Sequence, residues 1–160
     1  MGSGVTFYPL VLHDGGRNTS LRPGQYADCS VCALATISGK SYDEVYDILA
    51  KAGRKPCEGF GSDEWIAKHK GRVLGGIFRP IKVTGYDDRY SQRPPLTPLN
   101  FATYHPKGRF LLETLSHTWP VINGIHYDMW RVKQDKPLTG AWEFTFDKRT
   151  KKRVDMVGKP

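Results

Sequence analysis

Cysteine is scarce in this sequence, with three in 160 residues, and no apolar run approaches the ~20 residues that a membrane-spanning helix requires. The first residues do not show the pattern of a secretory signal peptide, in which a charged stretch is followed by an apolar stretch and a cleavage site of small residues. Three cysteines cannot all pair, and without a secretion signal we expect them to be reduced. These absences argue against a membrane protein and against a disulfide scaffold. We expect a cytoplasmic protein with at least one free and reactive thiol.

The composition is that of a folded chain. It is 39% hydrophobic and 12% aromatic, which argues against disorder. A chain of this length buries roughly 68–70% of the surface that it exposes when unfolded, so it needs no disulfide or structural metal to build a core. We expect one domain over residues 1–160.

Positive charge is concentrated at the C-terminal end. The net charge is +8, and residues 131–160 hold nine Lys or Arg against four Asp or Glu, which places +5 in that part. Its basic run could bind nucleic acid or an acidic protein. It could also be the solvated turn of a hairpin between Trp142–Phe146 and Arg153–Val157, which is the commoner structure for a short basic run. The candidate partner-binding residues are Lys148, Arg149, Lys151, Lys152 and Arg153.

Several helices are predicted before the middle of the chain. Small and apolar residues are continuous from Asp28 to Ile37, and Ser38-Gly39 follows them, which indicates a buried helix. Ser41 and Glu44 form a capping box at the start of a second helix. A third helix is expected over Ser62–Lys70 with Ser62 as N-cap, and Thr97-Pro98 predicts a short fourth helix over Leu99–His105.

Strands dominate the second half of the chain, and the Asn123-Gly124 pair predicts a type I′ hairpin turn between two of them. Helices followed by an antiparallel sheet indicate the α+β class, here with a C-terminal β-hairpin as an extension. The expected strands are Val5–Leu12, a broken strand region at Val73–Val83, Arg109–Leu115, His117–Ile122, Ile125–Trp130, Trp142–Phe146 and Arg153–Val157.

Cys29 is the strongest candidate for chemistry because it stands where a turn-rich loop becomes a helix. Unpaired N–H groups and the positive end of the helix dipole favour a thiolate there and can also stabilise an oxyanion. The Cys29-x-x-Cys32 spacing occurs in zinc and redox sites. However, a second ligand pair for zinc is missing, and a thioredoxin-like pair would follow a strand. We expect no metal and no cofactor. The alternative for Cys29 is an inert buried thiol.

A thiolate nucleophile needs a base and a group that orients the base. His117 begins a predicted strand, and the hairpin turn returns Asp128 to the same face, diagonally opposite. Diagonal neighbours lie about 7–8 Å apart, which lets a carboxylate reach the imidazole Nδ1. His126 on the same face is an alternative base. The alternative for His117 and Asp128 is that both are ordinary strand residues.

The order of Cys at a helix start, His at a strand start and Asp on the next strand resembles the papain-like cysteine peptidase superfamily. The resemblance is to small bacterial and phage versions related to the bacteriocin-processing (C39-like) and NlpC/P60-like enzymes. It extends from about Gln25 to Trp130, and residues 131–160 resemble nothing familiar. The segments that carry it are Asp28–Ala35, Gly39–Tyr46, His105–Phe110 and Ser116–Trp130.

The resemblance implies a papain-like fold whose catalytic core is residues 25–130. It implies that Cys29 is the nucleophile, His117 the general base and Asp128 the group that sets the imidazole tautomer. Gln25 would then donate to the oxyanion hole beside the Cys29 N–H. Pro120 departs from the pattern, since it removes a strand N–H and suggests an edge or a bulge beside His117.

The function expected from these residues is a thiol hydrolase, phage-encoded and active in the host bacterial cytoplasm. It would cleave an amide, isopeptide or thioester bond of a protein or peptide. The alternative is a catalytically weak protein of the same fold that binds a host protein or nucleic acid through its basic C-terminal hairpin. Trp142, Phe144 and Phe146 beside the basic run support that alternative, but their alternation with polar residues favours a hairpin packed on a core.

Overall fold

The computed structural model describes residues 7–84 and 93–147. These residues form an α+β fold with four helices and a seven-stranded sheet. The helices are Cys29–Ser38 (α1), Tyr42–Lys51 (α2), Ser62–Lys68 (α3) and Phe101–Tyr104 (α4). The strands are Leu10–Leu12 (β1), Arg72–Val73 (β2), Gly76–Pro80 (β3), Arg109–Thr114 (β4), His117–Ile122 (β5), Ile125–Asp128 (β6) and Gly140–Phe146 (β7).

The sheet is mixed, whereas an antiparallel sheet was expected. Its strand order is β1-β6-β5-β4-β7-β3-β2, and β1 pairs with β6 in parallel, with Leu12 opposite Asp128. The remaining pairs are antiparallel. A parallel pair is possible because more than one hundred residues separate β1 from β6, which is ample for a crossover. The edge of the sheet next to β6, the strand of Asp128, is thereby formed by the N-terminal strand β1.

The helix starts predicted from local signals are observed for α1 and α2. Helix α1 begins at Cys29 and ends at Gly39, whose φ of 76° lies in the left-handed region that glycine tolerates. Ser41 and Glu44 form the predicted capping box, with both of its hydrogen bonds present. Every residue of α1 after Cys29 is buried, so this helix is held by packing on both sides and not by one apolar stripe.

Two other helix predictions were wrong in their details. In α3 the N-cap is Gly61 and not Ser62, and the helix ends at Lys68. Helix α4 begins at Phe101, later than expected. Thr97 and Asn100 form reciprocal side-chain to backbone hydrogen bonds in the turn that precedes it.

The sheet is covered on both faces. Consecutive residues of β4 belong to different clusters, with Leu111 in the first and Phe110 and Leu112 in the second. The first cluster contains α1, the apolar residues of α2 and Ile66 of α3. The second cluster contains Trp119, α4 and the chain that leads into β7. Burial on both faces explains why β4 has a continuous apolar run in its sequence.

Strand β7 lies inside the sheet, between β4 and β3, and is not the first strand of an appended hairpin. Trp142 pairs with Leu111 on one side and with Pro80 on the other. The predicted partner strand Arg153–Val157 lies outside the described residues. Phe144 is buried in the first cluster, because the alternation predicted for this segment faces the core.

Pro120 lies in β5, an internal strand, and not at an edge of the sheet. It pairs with Leu111 of β4, but the β5–β6 ladder contains only Val121 with His126 and Ile122 with Ile125. A proline has no N–H to continue that ladder. The two strands therefore separate next to His117 and Asp128.

Among residues 7–84 and 93–147, none of the helices has both the length and the apolar character that crossing a bilayer requires.

Candidate functional site

Cys29 occupies the first position of α1 and is partly exposed. Asp28, the N-cap residue, forms no side-chain hydrogen bond to the helix start. The first-turn N–H groups therefore lack the usual cap and can serve an oxyanion next to the thiol.

The Asp28 carboxylate instead joins a buried polar cluster. It accepts a 2.7 Å hydrogen bond from the Tyr42 hydroxyl and forms a salt bridge with Arg17, 3.0 Å from Nη1 to Oδ1. The Cys32 thiol also donates to it, at 3.5 Å. Burial, followed by the charge of Asp28, raises the pKa of Cys32. Cys32 is therefore a protonated, structural thiol, although it lies three residues from Cys29.

His117 and Asp128 meet at the open ends of β5 and β6. The His117 Nε2 lies 2.7 Å from Asp128 Oδ2, and the other carboxylate oxygen accepts from the Met129 N–H at 2.8 Å. The contact was expected at Nδ1, so that atom assignment was wrong. Because Asp128 takes Nε2, the ring nitrogen left for Cys29 is Nδ1.

Cys29 is the second partner of the His117 ring. Burial alone would lower the pKa of His117, but the hydrogen bond that its ring donates to Asp128, and then the interaction with Cys29, outweigh the effect of burial. Together with the charges of both groups they raise the pKa from 6.5 to about 9. The structure thus brings Cys29, His117 and Asp128 together, with an imidazole that holds its proton at neutral pH.

Two indole rings enclose the His117 ring. Trp130 stacks on it at 4.5 Å between centroids, and Trp119 stacks at 5.4 Å. Stacking restricts rotation of the imidazole and limits the access of water to its hydrogen bond with Asp128. Neither tryptophan was predicted to be part of the site, although Trp130 lies only two residues after Asp128.

His126, the alternative base, is fully buried and packs against Trp119 and Tyr8. Its Nδ1 accepts a 2.9 Å hydrogen bond from Trp119 Nε1. Burial, with a smaller contribution from the charge of Arg131, lowers the pKa of His126 to about 3. It is therefore a neutral residue that orients Trp119, which in turn stacks on His117.

A cavity of about 410 Å³ opens beside Cys29 and His117, and Gln25 lies on its wall. The Gln25 Oε1 accepts a 2.9 Å hydrogen bond from the Cys57 N–H. An amide whose oxygen is occupied in this way still has its two Nε2 hydrogens to donate. Gln25 is thus oriented by a backbone donor from the loop between α2 and α3, whose contact with the site has no local signal in the sequence.

A second groove, of about 440 Å³, also reaches Cys29 and His117. Glu113 and Asp63 lie on its wall. Burial, followed by the charge of Asp63, raises the pKa of Glu113 to about 7. Glu113 was not identified from the sequence, because its environment depends on the position of α3 relative to β4.

Comparisons with other proteins add nothing to this geometry. No protein-family model, curated protein or solved structure matches the chain. Within the described part of the chain, no three His, Cys, Asp or Glu side chains are grouped to bind a metal ion. The basic residues predicted to bind a partner, Lys148, Arg149, Lys151, Lys152 and Arg153, lie outside the described residues.

Proposed function

We propose that this chain is a thiol hydrolase of the cysteine peptidase type, which cleaves an amide, isopeptide or thioester bond in a protein or peptide. The observation that carries the proposal is the 2.7 Å hydrogen bond between His117 Nε2 and Asp128 Oδ2, on the wall of a cavity that Cys29 also lines. A thiol, an imidazole and an orienting carboxylate in this order can activate a nucleophile.

Acylation begins from an ion pair, in which His117 already carries the proton that the Cys29 thiol has given up. The thiolate attacks the carbonyl carbon, and the carbonyl electron pair moves to oxygen. The resulting oxyanion accepts hydrogen bonds from the Cys29 N–H and from Gln25 Nε2. When the tetrahedral intermediate collapses, the His117 imidazolium protonates the leaving nitrogen or sulfur, and a thioester to Cys29 remains.

Deacylation uses the same residues in the reverse roles. Neutral His117 takes a proton from water, and the hydroxide attacks the Cys29 thioester. The Cys29 sulfur leaves and regains its proton from His117, and the acyl group departs as a carboxylic acid. Asp128 accepts from Nε2–H throughout, which keeps Nδ1 directed at the sulfur and the substrate.

Selective alkylation tests the nucleophile and the base. Near pH 6, iodoacetamide should modify Cys29 at least about tenfold faster than Cys57, and faster still than the buried Cys32. His117→Ala should remove this selectivity, whereas the matched change His69→Ala, on an exposed histidine, should not. Mass spectrometry of the peptides that contain each cysteine gives the three rates. Equal rates in the wild type would refute the enzyme proposal.

The binding alternative is weaker than the sequence suggested. Its aromatic residues are part of the sheet, with Phe144 buried and Trp142 packed against the first cluster. It now depends on the basic run alone. Neutralising Lys148, Arg149, Lys151, Lys152 and Arg153 together should then abolish nucleic-acid binding, and wild-type binding should weaken steeply with salt. Binding that is insensitive to both changes would refute it.

A further inference from the structure

The segment from Gln25 to Asp28, just before the nucleophile, has an unusual backbone. Ala27 has a φ of 50°, in the left-handed region where a Cβ meets the following carbonyl oxygen. Glycine and asparagine are the usual residues there, so an alanine requires neighbours that hold it in place. The segment carries one of the proposed oxyanion donors and leads into the other, so its shape bears directly on acylation.

Arg54 forms hydrogen bonds with this strained segment. Its side chain is buried, with 5% of the residue exposed. Nη2 donates to the carbonyl oxygens of Tyr26 and Ala27 at 3.5 and 3.4 Å. The Arg54 N–H is itself anchored to the Leu49 carbonyl at the end of α2, at 2.8 Å. A rigid helix end therefore presents the guanidinium to two consecutive peptide groups.

The way in which Arg54 is buried suggests that stability is not its main role. Within the described residues it forms no ion pair, and its Nε atom has no hydrogen-bond partner. A buried cation without a carboxylate is costly. Among the described residues, its side chain makes polar contacts with the carbonyl groups of Tyr26 and Ala27. Its guanidinium carbon also lies 5.4 Å from the centre of the Tyr46 ring.

The same loop holds the oxyanion donor Gln25. Cys57 lies three residues after Arg54, also has a left-handed φ, of 58°, and donates its N–H to Gln25 Oε1. The loop between α2 and α3 thus contacts the side chain of Gln25 and the carbonyl groups of the next two residues. Because the C=O and N–H of a peptide group point in opposite directions, fixing these carbonyls also fixes the planes that lead to Cys29.

We infer that Arg54 is a positioning residue that holds the Gln25–Cys29 segment in the geometry required to stabilise the oxyanion. This inference rests on the proposed hydrolase function. Arg54 touches neither the sulfur nor the substrate, and it acts through the peptide groups of Tyr26 and Ala27. It should therefore influence acylation, which develops an oxyanion, far more than alkylation, which develops none.

The test compares these two reactions on one set of variants. Acylation is followed as the burst of nitrophenolate from p-nitrophenyl acetate, and alkylation as modification of Cys29 by iodoacetamide. Arg54→Met should slow the burst about 10–100-fold, as expected for a displaced oxyanion site, and leave alkylation within about threefold of the wild type. Arg54→Lys keeps the charge but loses the planar guanidinium that can donate to two carbonyl groups. Its burst rate should lie between those of the wild type and Arg54→Met.

Arg22→Met is the matched control. Arg22 lies over the same Tyr46 ring, at 4.0 Å, but its side chain pairs with Asp43 and Asp47 on α2. It should keep wild-type rates in both reactions. Circular dichroism and thermal unfolding establish that each variant is folded, and if Arg54→Met does not fold, Arg54→Lys decides the question.

The outcomes separate this inference from the function on which it rests. A normal burst in both Arg54 variants, or an equal fall of burst and alkylation in a folded variant, would overturn the positioning role alone. A wild-type protein that gives no burst at Cys29 and alkylates its three cysteines equally would overturn the hydrolase proposal, and the role of Arg54 with it.

Discussion

At the scale of single residues, the hydrogen bond between His117 and Asp128 is the contact on which the proposed chemistry depends. It is the largest influence that raises the pKa of His117 to about 9, against the opposing effect of burial. An imidazole with this pKa is protonated at neutral pH and stands beside the Cys29 sulfur, which suits the nucleophilic role that we propose for Cys29.

Asp128→Asn should slow acylation by p-nitrophenyl acetate about 10²–10⁴-fold, because the amide neither sets the tautomer of His117 nor stabilises its positive charge. The loss of the charge also lowers the pKa of His117. The decline of Cys29 reactivity that we expect above about pH 9 should therefore move to lower pH.

The control for this change is Asp135→Asn, which alters the net charge equally at an exposed position. The pH dependence of the burst rate is the measurement. If folded Asp128→Asn keeps both the wild-type rate and the wild-type pH profile, then Asp128 contributes to stability only.

The raised pKa of Glu113 leads to a second prediction, which concerns the stability of the fold. Its pKa is about 7 in the fold and 4.5 as the ordinary value, so between these pH values the folded state binds more protons than the unfolded state. Its protonation therefore favours the fold below about pH 4.5, and this advantage is lost as the pH rises to 7.

Glu113→Gln removes that titration. Relative to the wild type, we expect the variant to gain about 1–2 kcal/mol of unfolding free energy between pH 5 and pH 8, a discounted value because the carboxyl is partly exposed. Urea unfolding at both pH values measures the gain. Glu58→Gln, on an exposed carboxyl, should show no such dependence, and an equal response of the two variants would contradict the assignment.

At the scale of single elements, the two opening helices show how far local signals reach. Ser41 accepts from the Glu44 N–H at 3.0 Å, while the Glu44 carboxylate accepts from the Ser41 N–H at 3.3 Å. Helix α2 contains Leu49, whose carbonyl accepts from the N–H of Arg54, three residues after the helix ends. The cap therefore supports both the helix and the loop that contacts the site.

Ser41→Ala should lower the unfolding free energy by about 1 kcal/mol, the usual loss for an N-cap. Ser41→Asp keeps an acceptor and adds a favourable charge at the positive helix end, so it should be close to the wild type. Chemical denaturation of the three proteins gives the comparison. Equal losses in both variants would show that the hydroxyl contributes something other than a cap.

The turn and register of the β5–β6 hairpin were also predictable from neighbouring residues, with one exception. Asn123 and Gly124 have the two positive φ values of a type I′ turn, and Ile122 pairs with Ile125 as counted from the sequence. The approach of Asp128 to His117 follows from that register. The atom that Asp128 contacts does not, because the rotation of the imidazole depends on Trp119 and Trp130.

At the scale of the whole molecule, the site lies where the start of α1 meets the opened ends of β5 and β6. Arg17 joins these parts, since it pairs with Asp28 before Cys29 and also contacts the Met129 sulfur at 3.4 Å. The separation of β5 and β6 beyond Val121 leaves room for the cavity between them and the helix. Long-range packing thus brings together side chains that are 88 and 99 residues apart, counting from 29 to 117 and to 128.

The sequence by itself determined the features that depend on neighbouring residues: the start of α1 at Cys29, the Ser41 capping box, the Asn123-Gly124 turn and the pairing of His117 with Asp128 across it. Dihedral preferences and local hydrogen bonds act within a few residues, so their signals can be read directly. Only the tertiary structure decided the internal place of β7, the parallel pairing of β1, the Nε2 contact of His117 and the support of Ala27 by Arg54. Many strand orders satisfy the same alternation of apolar residues, and a buried cation or a strained alanine is recognised only when its distant neighbours are in place.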